Sequence, residues 1–224
     1  LLIFVAIELL QFKGIALIPV YKLHMPGNLN TYLYRSISVA SSIFLIWILA
    51  PTAISRLRIR FTKFSVALTL SCLIISVYIG YQNRVSGAGL FSYFDAFIFA
   101  MFIGLDEEIF DRGLIFGLFE RYGVEIALAL SSLVFGLEHL SNYFYGGESL
   151  SYVMGHVVDA AGFGYFLCAF MLIFRSLYLP IFLHGINDFP WMFVKESDYN
   201  RIISGYTDWW PVLLQFVVNV MVAR

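Results

Sequence analysis

Asp106-Glu107-Glu108-Ile109-Phe110-Asp111-Arg112 places five charges within seven residues, between two strongly apolar runs, 91–105 and 113–119. An ionised side chain near the centre of a bilayer costs roughly 2.5–3.5 kcal/mol on insertion scales. Several in one helix persist only where they pair, face a wet cavity or do chemistry. Glu108 and Arg112 are four apart, so they share a face, and carboxylate-first is the favourable order for an ion pair. Glu107 points about 100° away from Glu108 on helical geometry. One carboxylate can therefore be structural while the other is free to react. Asp111 follows Glu107 by four, a like-charge pairing. The competing reading is a polar seam that glues helices together.

Two further segments carry titratable groups at helical spacing. Phe135 and His139 share a face at the end of an apolar run; a lone histidine there is more often packed or hydrogen-bonded than functional. His184 and Asp188 are four apart, with Asn187 close by. Such a pair inside a membrane span is expensive and points to function. His156 and Asp159, three apart, could support the site from behind, form a proton path or satisfy one another, and the last reading is preferred. Glu107, Glu108, Arg112, His139, His184 and Asp188 together suit hydrolysis, with a general base for water and donors for an oxyanion. The same nitrogen and oxygen donors suit a divalent metal such as zinc, with Glu107, His139, His184 and Asp188 as ligands. No His-Glu-x-x-His helix supports a zincin site. The metal-independent mechanism is preferred, because the side chains already supply a base and donors.

The elements that position these residues follow from composition. The chain is 60% hydrophobic and 13% charged, with mean hydropathy +0.82; soluble domains run nearer about 25% charged. The expectation is an all-α, polytopic membrane bundle forming a single domain over 1–224. A span needs about 20 apolar residues. On that ruler eight segments stand out, near 1–20, 37–55, 64–82, 91–119, 123–140, 151–174, 177–194 and 208–223. The fourth is too long for one perpendicular span and is expected to tilt or break near the acidic string. Ala160-Ala161-Gly162-Phe163-Gly164 allows close helix packing. The basic stretch Arg56–Lys63 predicts a cytoplasmic loop, with Arg121, Arg175 and Arg224 on its side and Lys22, Arg35, Arg84, Lys195 and Arg201 opposite. Cys72 and Cys168, both in apolar runs, read as packing residues, not a disulfide. The first residue is Leu1, so the start is expected to be trimmed, and no cleavable signal peptide is evident. A net charge of −1 gives no footprint for nucleic acid.

Taken in order, Glu107-Glu108-x-x-x-Arg112, Phe135-x-x-x-His139 and His184-x-x-x-Asp188 resemble the motifs of the CPBP (Abi) intramembrane proteases, which include the CAAX-processing endoprotease. The resemblance covers roughly 91–194, the expected protease core. It implies that Glu107 activates the attacking water with help from His139. Glu108 and Arg112 would hold the geometry, and His184 with residue 188 would bind the oxyanion. It implies a membrane-associated peptide or protein substrate, prenylated CAAX substrates among them, with membrane lipid as the other partner. Many members carry Asn at the position of Asp188. An ionised Asp only accepts hydrogen bonds, so Asp188 is either protonated, an orienter of His184 or a metal ligand. Family members are described both as metalloproteases and as glutamate proteases.

Two other classes use similar residues. A proton-coupled transporter would employ buried Glu, Arg and His as a relay, but no inverted repeat is visible. A non-catalytic membrane immunity or assembly factor would not need the complete motif set.

Overall fold

The computed structural model describes residues 29–82, 90–145, 147–193 and residue 219, and among them every regular element is helical. Helix α1 spans Leu29–Leu49 and leads through a 3-10 turn, Pro51–Leu57, to α2, Lys63–Gln82. Helix α3, Leu90–Glu108, continues as a π-helix over Ile109–Ile115 and ends in α4, Phe116–Phe119. After Gly123, whose φ of 121° only glycine adopts without strain, comes α5, Val124–Glu138. The short α6, Ser141–Tyr145, precedes α7, Leu150–Phe174, and α8, Tyr178–Asp188, which ends in a 3-10 turn, Phe189–Phe193.

Six of the eight expected segments thus correspond to described helices; 1–20 and, apart from residue 219, 208–223 lie outside the described residues. The first described helix begins at Leu29, not near 37, and so takes in Arg35. Arg35 therefore lies on the helix and not in the segment before it. Three stretches, Tyr32–Leu49, Val124–Phe144 and Leu150–Phe174, are long and apolar enough to cross a membrane, and Lys63–Tyr78 is a shorter apolar helix. The count of about eight spans is not established by these three. Trp47, Ile74, Phe91 and Ile173 lie on outward faces. Side chains that would be a liability in water are the natural covering of a protein in lipid.

The expected break near the acidic string is real and has a definite form. Seven residues, Ile109 to Ile115, adopt π geometry, and all seven are buried. A π turn inserts an extra residue and loosens the backbone ladder, which is why such turns collect at functional sites. The Ser131 hydroxyl donates to the Asp111 carbonyl at 2.8 Å, binding α5 to the altered turn. Cys72 and Cys168 are both free thiols.

Small residues decide how closely the helices approach. A Cβ at Gly104 would lie 2.6 Å from the Ile181 carbonyl oxygen, and one at Gly185 would lie 2.9 Å from that of Ala100. Only glycine lets α3 and α8 touch backbone to backbone there. A Cβ at Gly136 would meet the Val157 carbonyl at 2.6 Å, which holds α5 equally close to α7. The first contact brings the first and third motifs together, and the second seats the helix of the Phe135-x-x-x-His139 motif on α7.

Candidate active site

The three motif segments converge on one ring. Phe135 is 2% exposed. Its face carries the Arg112 guanidinium at 4.4 Å, and its edges meet the rings of His139 at 5.2 Å and His184 at 5.4 Å. A cation held over a desolvated aromatic face is favourable. Gly164 of α7 makes room for this cluster, since a Cβ there would lie 2.7 Å from Arg112 Nη2. The phenylalanine of Phe135-x-x-x-His139 is thus the packing centre of the site.

Glu107 and Glu108 face different surroundings, as the 100° separation predicts. Glu108 is fully buried; its Oε1 lies 2.9 Å from Arg112 Nη1 and accepts a hydrogen bond from it. The same oxygen stands 2.7 Å from His184 Nδ1. The Glu107 side chain is 27% exposed, and its Oε2 lies 3.5 Å from His184 Nε2. Asp188 Oδ2 is also 3.5 Å from that nitrogen. His184 therefore sits among three carboxylates, one bonded to Nδ1 and two beside Nε2.

His139 is oriented by its own helix. Its Nδ1 lies 2.9 Å from the Phe135 carbonyl oxygen. A carbonyl only accepts, so Nδ1 carries the proton and Nε2 presents a lone pair.

These groups share one cavity of about 610 Å³, whose wall includes Glu107, His139, His184 and Asp188. All six motif residues of the sequence reading come together in this region. Four line the cavity, while Glu108 and Arg112 stand behind them, buried. The expected His156–Asp159 pair is a correction. Neither His156 Nδ1 nor Asp159 Oδ1 has a hydrogen-bond partner among the described residues. Both instead face the cavity, with the His156 ring 4.3 Å from that of His139. On α7 the three-residue spacing sends the two side chains to the shared void, not to each other.

Arg35 is the residue that sequence reading missed. From α1 its Nη1 reaches Asp106 Oδ2 at 3.2 Å and Glu107 Oε1 at 3.7 Å, and it lines the same cavity. Tyr32, one turn earlier, donates to Asp95 Oδ1 at 2.9 Å. The signal was present: Tyr32 and Arg35, three apart, precede an apolar run and mark one face of α1. The acidic string at 106–107 needed a cation beyond Arg112.

No three His, Cys, Asp or Glu side chains among the described residues converge in a metal-holding arrangement. The imidazole Nε2 atoms and the two cavity carboxylates have the right donor chemistry, but not that convergence.

Residues 89–190 match the family model described as type II CAAX prenyl endopeptidase, Rce1-like. No curated protein and no solved structure matches the chain. The matched segment, just under half of the chain, contains all three motifs, and the family it describes is one of CAAX endopeptidases. That bears out the resemblance read from the motifs.

Proposed function

We propose that this chain is a CAAX-type intramembrane protease that cleaves a peptide bond in a prenylated CAAX-type substrate with water activated by Glu107. The observation that carries the reading is the division between the two adjacent glutamates. Glu108 is sealed off by Arg112 and His184, whereas Glu107 faces the cavity.

A water held by Glu107 loses its proton to that carboxylate as its oxygen attacks the scissile carbonyl carbon. The carbonyl π electrons move onto oxygen, and a donor at His184 Nε2 stabilises the resulting oxyanion. The Glu108 carboxylate fixes Nδ1 as the other donor of that ring. Collapse re-forms the carbonyl and breaks the C–N bond, and the proton taken from water passes to the leaving amine. His139 Nε2, a free lone pair on the cavity wall, helps that transfer. Arg112 holds Glu108 in place, and Arg35 holds Glu107. Asp188 orients His184. The chain's own residues suffice for this sequence, and no step passes through a metal.

The cavity belongs to a polytopic bundle of about eight spans, a single membrane domain over 1–224 with its protease core near 91–194. The Arg56–Lys63 stretch faces the cytoplasm. Two contacts support gathering its basic neighbours at one end: Arg56 pairs with Glu120, and the Leu177 amide donates to the Arg56 carbonyl at 2.9 Å.

The test is direct. Purified chain in lipid nanodiscs is incubated with a farnesylated CAAX peptide, and products are identified by mass. Release of the C-terminal tripeptide is expected. A folded protein that cleaves neither this peptide nor any member of a membrane-peptide library would overturn the protease reading and return attention to a transporter.

A further inference from the structure

The passage from α1 into α2 carries a charge pattern that the reaction does not use. Arg58-Ile59-Arg60-Phe61-Thr62-Lys63-Phe64 interleaves cations with apolar side chains. All seven residues are exposed, Ile59 at 65% and Phe61 and Phe64 at 64% each. Arg56, just before them, is neutralised by Glu120. Arg58, Arg60 and Lys63 have no ion-pair partner among the described residues.

The stretch is nonetheless held in one shape. The Leu177 amide donates to the Arg56 carbonyl at 2.9 Å, and the Ser176 hydroxyl donates to that of Arg58 at 2.8 Å. Phe61 meets the Tyr178 ring edge-on, centroids 4.9 Å apart. Thr62 and Ser65 cap each other, each backbone amide donating to the other's hydroxyl at 2.9 and 3.0 Å. That reciprocal pair fixes where α2 begins.

The partner in the first three contacts is the turn between α7 and α8, and it adds a fourth exposed cation, Arg175. Arg175 is the one described residue other than glycine with a positive φ, 49°. A residue with a side chain enters that region only at a cost, so the turn is built and not slack. Arg175 also lacks an ion-pair partner among the described residues. Arg121 and Glu125, near the Arg56–Glu120 pair, offset each other in charge.

We propose that Arg58, Arg60, Lys63 and Arg175 form a seat for the phosphate groups of anionic phospholipids in the adjacent leaflet. Both halves of the pattern select this occupant. Four cations without partners call for anions. The apolar side chains between them suit the boundary of headgroup and acyl chain, where basic side chains lay their stems on apolar surface and reach outward. A soluble acidic protein would satisfy the charges alone. A loop that served only to orient the chain on insertion would need its charges, but not a pinned backbone and a strained turn.

The experiment offers purified protein in detergent an equimolar mixture of phosphatidylglycerol and phosphatidylcholine and counts retained lipid by native mass spectrometry. Phosphatidylglycerol should be retained at least about tenfold over phosphatidylcholine. Arg58→Gln, Arg60→Gln and Arg175→Gln combined should bring the two towards equality, with about a fivefold loss for each charge removed. The matching triple Lys variant should keep the preference. Raising salt from about 0.1 M to about 1 M should release phosphatidylglycerol from the wild type, a result that needs no variant. Equal retention of the two lipids by wild-type protein would overturn the proposal, as would an undiminished preference in the folded Gln variant. Displacement of the lipid by inorganic phosphate or by an acidic peptide would make a soluble anion the occupant and overturn it too. No readout involves hydrolysis, so the outcome stands apart from the protease reading.

Discussion

Oε1 of Glu108 lies 2.7 Å from Nδ1 of His184, across seventy-six residues of sequence, while also accepting from Arg112 Nη1 at 2.9 Å. One buried oxygen thus ties the first motif to the third. It also dictates a division of labour. An oxygen already engaged by a guanidinium and an imidazole is badly placed to take a proton from water, so reactivity falls to the neighbouring Glu107.

Glu107→Gln should therefore abolish hydrolysis while leaving the helical bundle intact. The expected loss is at least about a hundredfold, the usual scale for a general base. Glu108→Gln should also impair turnover, but through the geometry of His184 and with a lower melting temperature. The pair of variants, measured for activity and by thermal melting in detergent, separates base from scaffold. Near-normal turnover of folded Glu107→Gln would sink the assignment.

Arg112 is fully buried against Glu108 and Phe135. Truncating one member of a buried pair leaves the other charge unpaired, at a cost of roughly 3–5 kcal/mol. Arg112→Ala should lower the melting temperature together with activity. An unchanged melt would show that the Glu108 carboxylate had found another partner.

Much of this site was legible in the sequence, because charge in an apolar helix is conspicuous and fixed spacing defines a face. The separation of Glu107 from Glu108, the Glu108–Arg112 pair and the break of the fourth segment all follow from helical geometry. What escaped was set by other helices. Arg35 looked like a loop charge because α1 begins eight residues before its apolar run. His156 and Asp159 looked like a pair because the cavity that α1, α3, α5, α7 and α8 enclose has no signature in any one of those segments alone.

Arg35 offers a test of that lesson. It reaches Asp106 and Glu107 from α1, so it fixes the position of the proposed base. A displacement of about 1 Å at a catalytic group can cost a hundredfold in rate. Arg35→Ala should lower kcat at least about tenfold with little change in KM, and Arg35→Lys should recover part of it. Equal kcat in wild-type and folded Arg35→Ala protein would leave Arg35 as a packing residue only.

Gly104 and Gly185 test the helix contact that carries both motifs. Gly104→Ala sets a methyl against the Ile181 carbonyl, and backbone cannot yield as a flexible side chain does. Overpacking of this kind costs about 1–3 kcal/mol. It would also move α3 from α8, separating Glu107 from His184. Turnover should fall further than stability does, read as kcat against the melting temperature. A fully active Gly104→Ala protein would mean that the two helices have slack at this contact.

Asp188 discriminates metal from no metal. If Glu107, His139, His184 and Asp188 close around a divalent ion on substrate binding, Asp188→Asn should weaken it, since a neutral amide is a poorer ligand than a carboxylate. Chelator should then inactivate the enzyme, and elemental analysis should find about one zinc per chain, as for a three- or four-ligand catalytic site. If Asp188 instead serves His184 and the oxyanion, Asn supplies an amide donor directly. Asp188→Asn should then keep or raise activity, and chelator should have no effect. We expect the second outcome, because Glu107 and the His184 Nε2 already provide a base and a donor on one cavity wall. Stoichiometric zinc in active, extensively dialysed protein, lost together with activity on chelation, would overturn it.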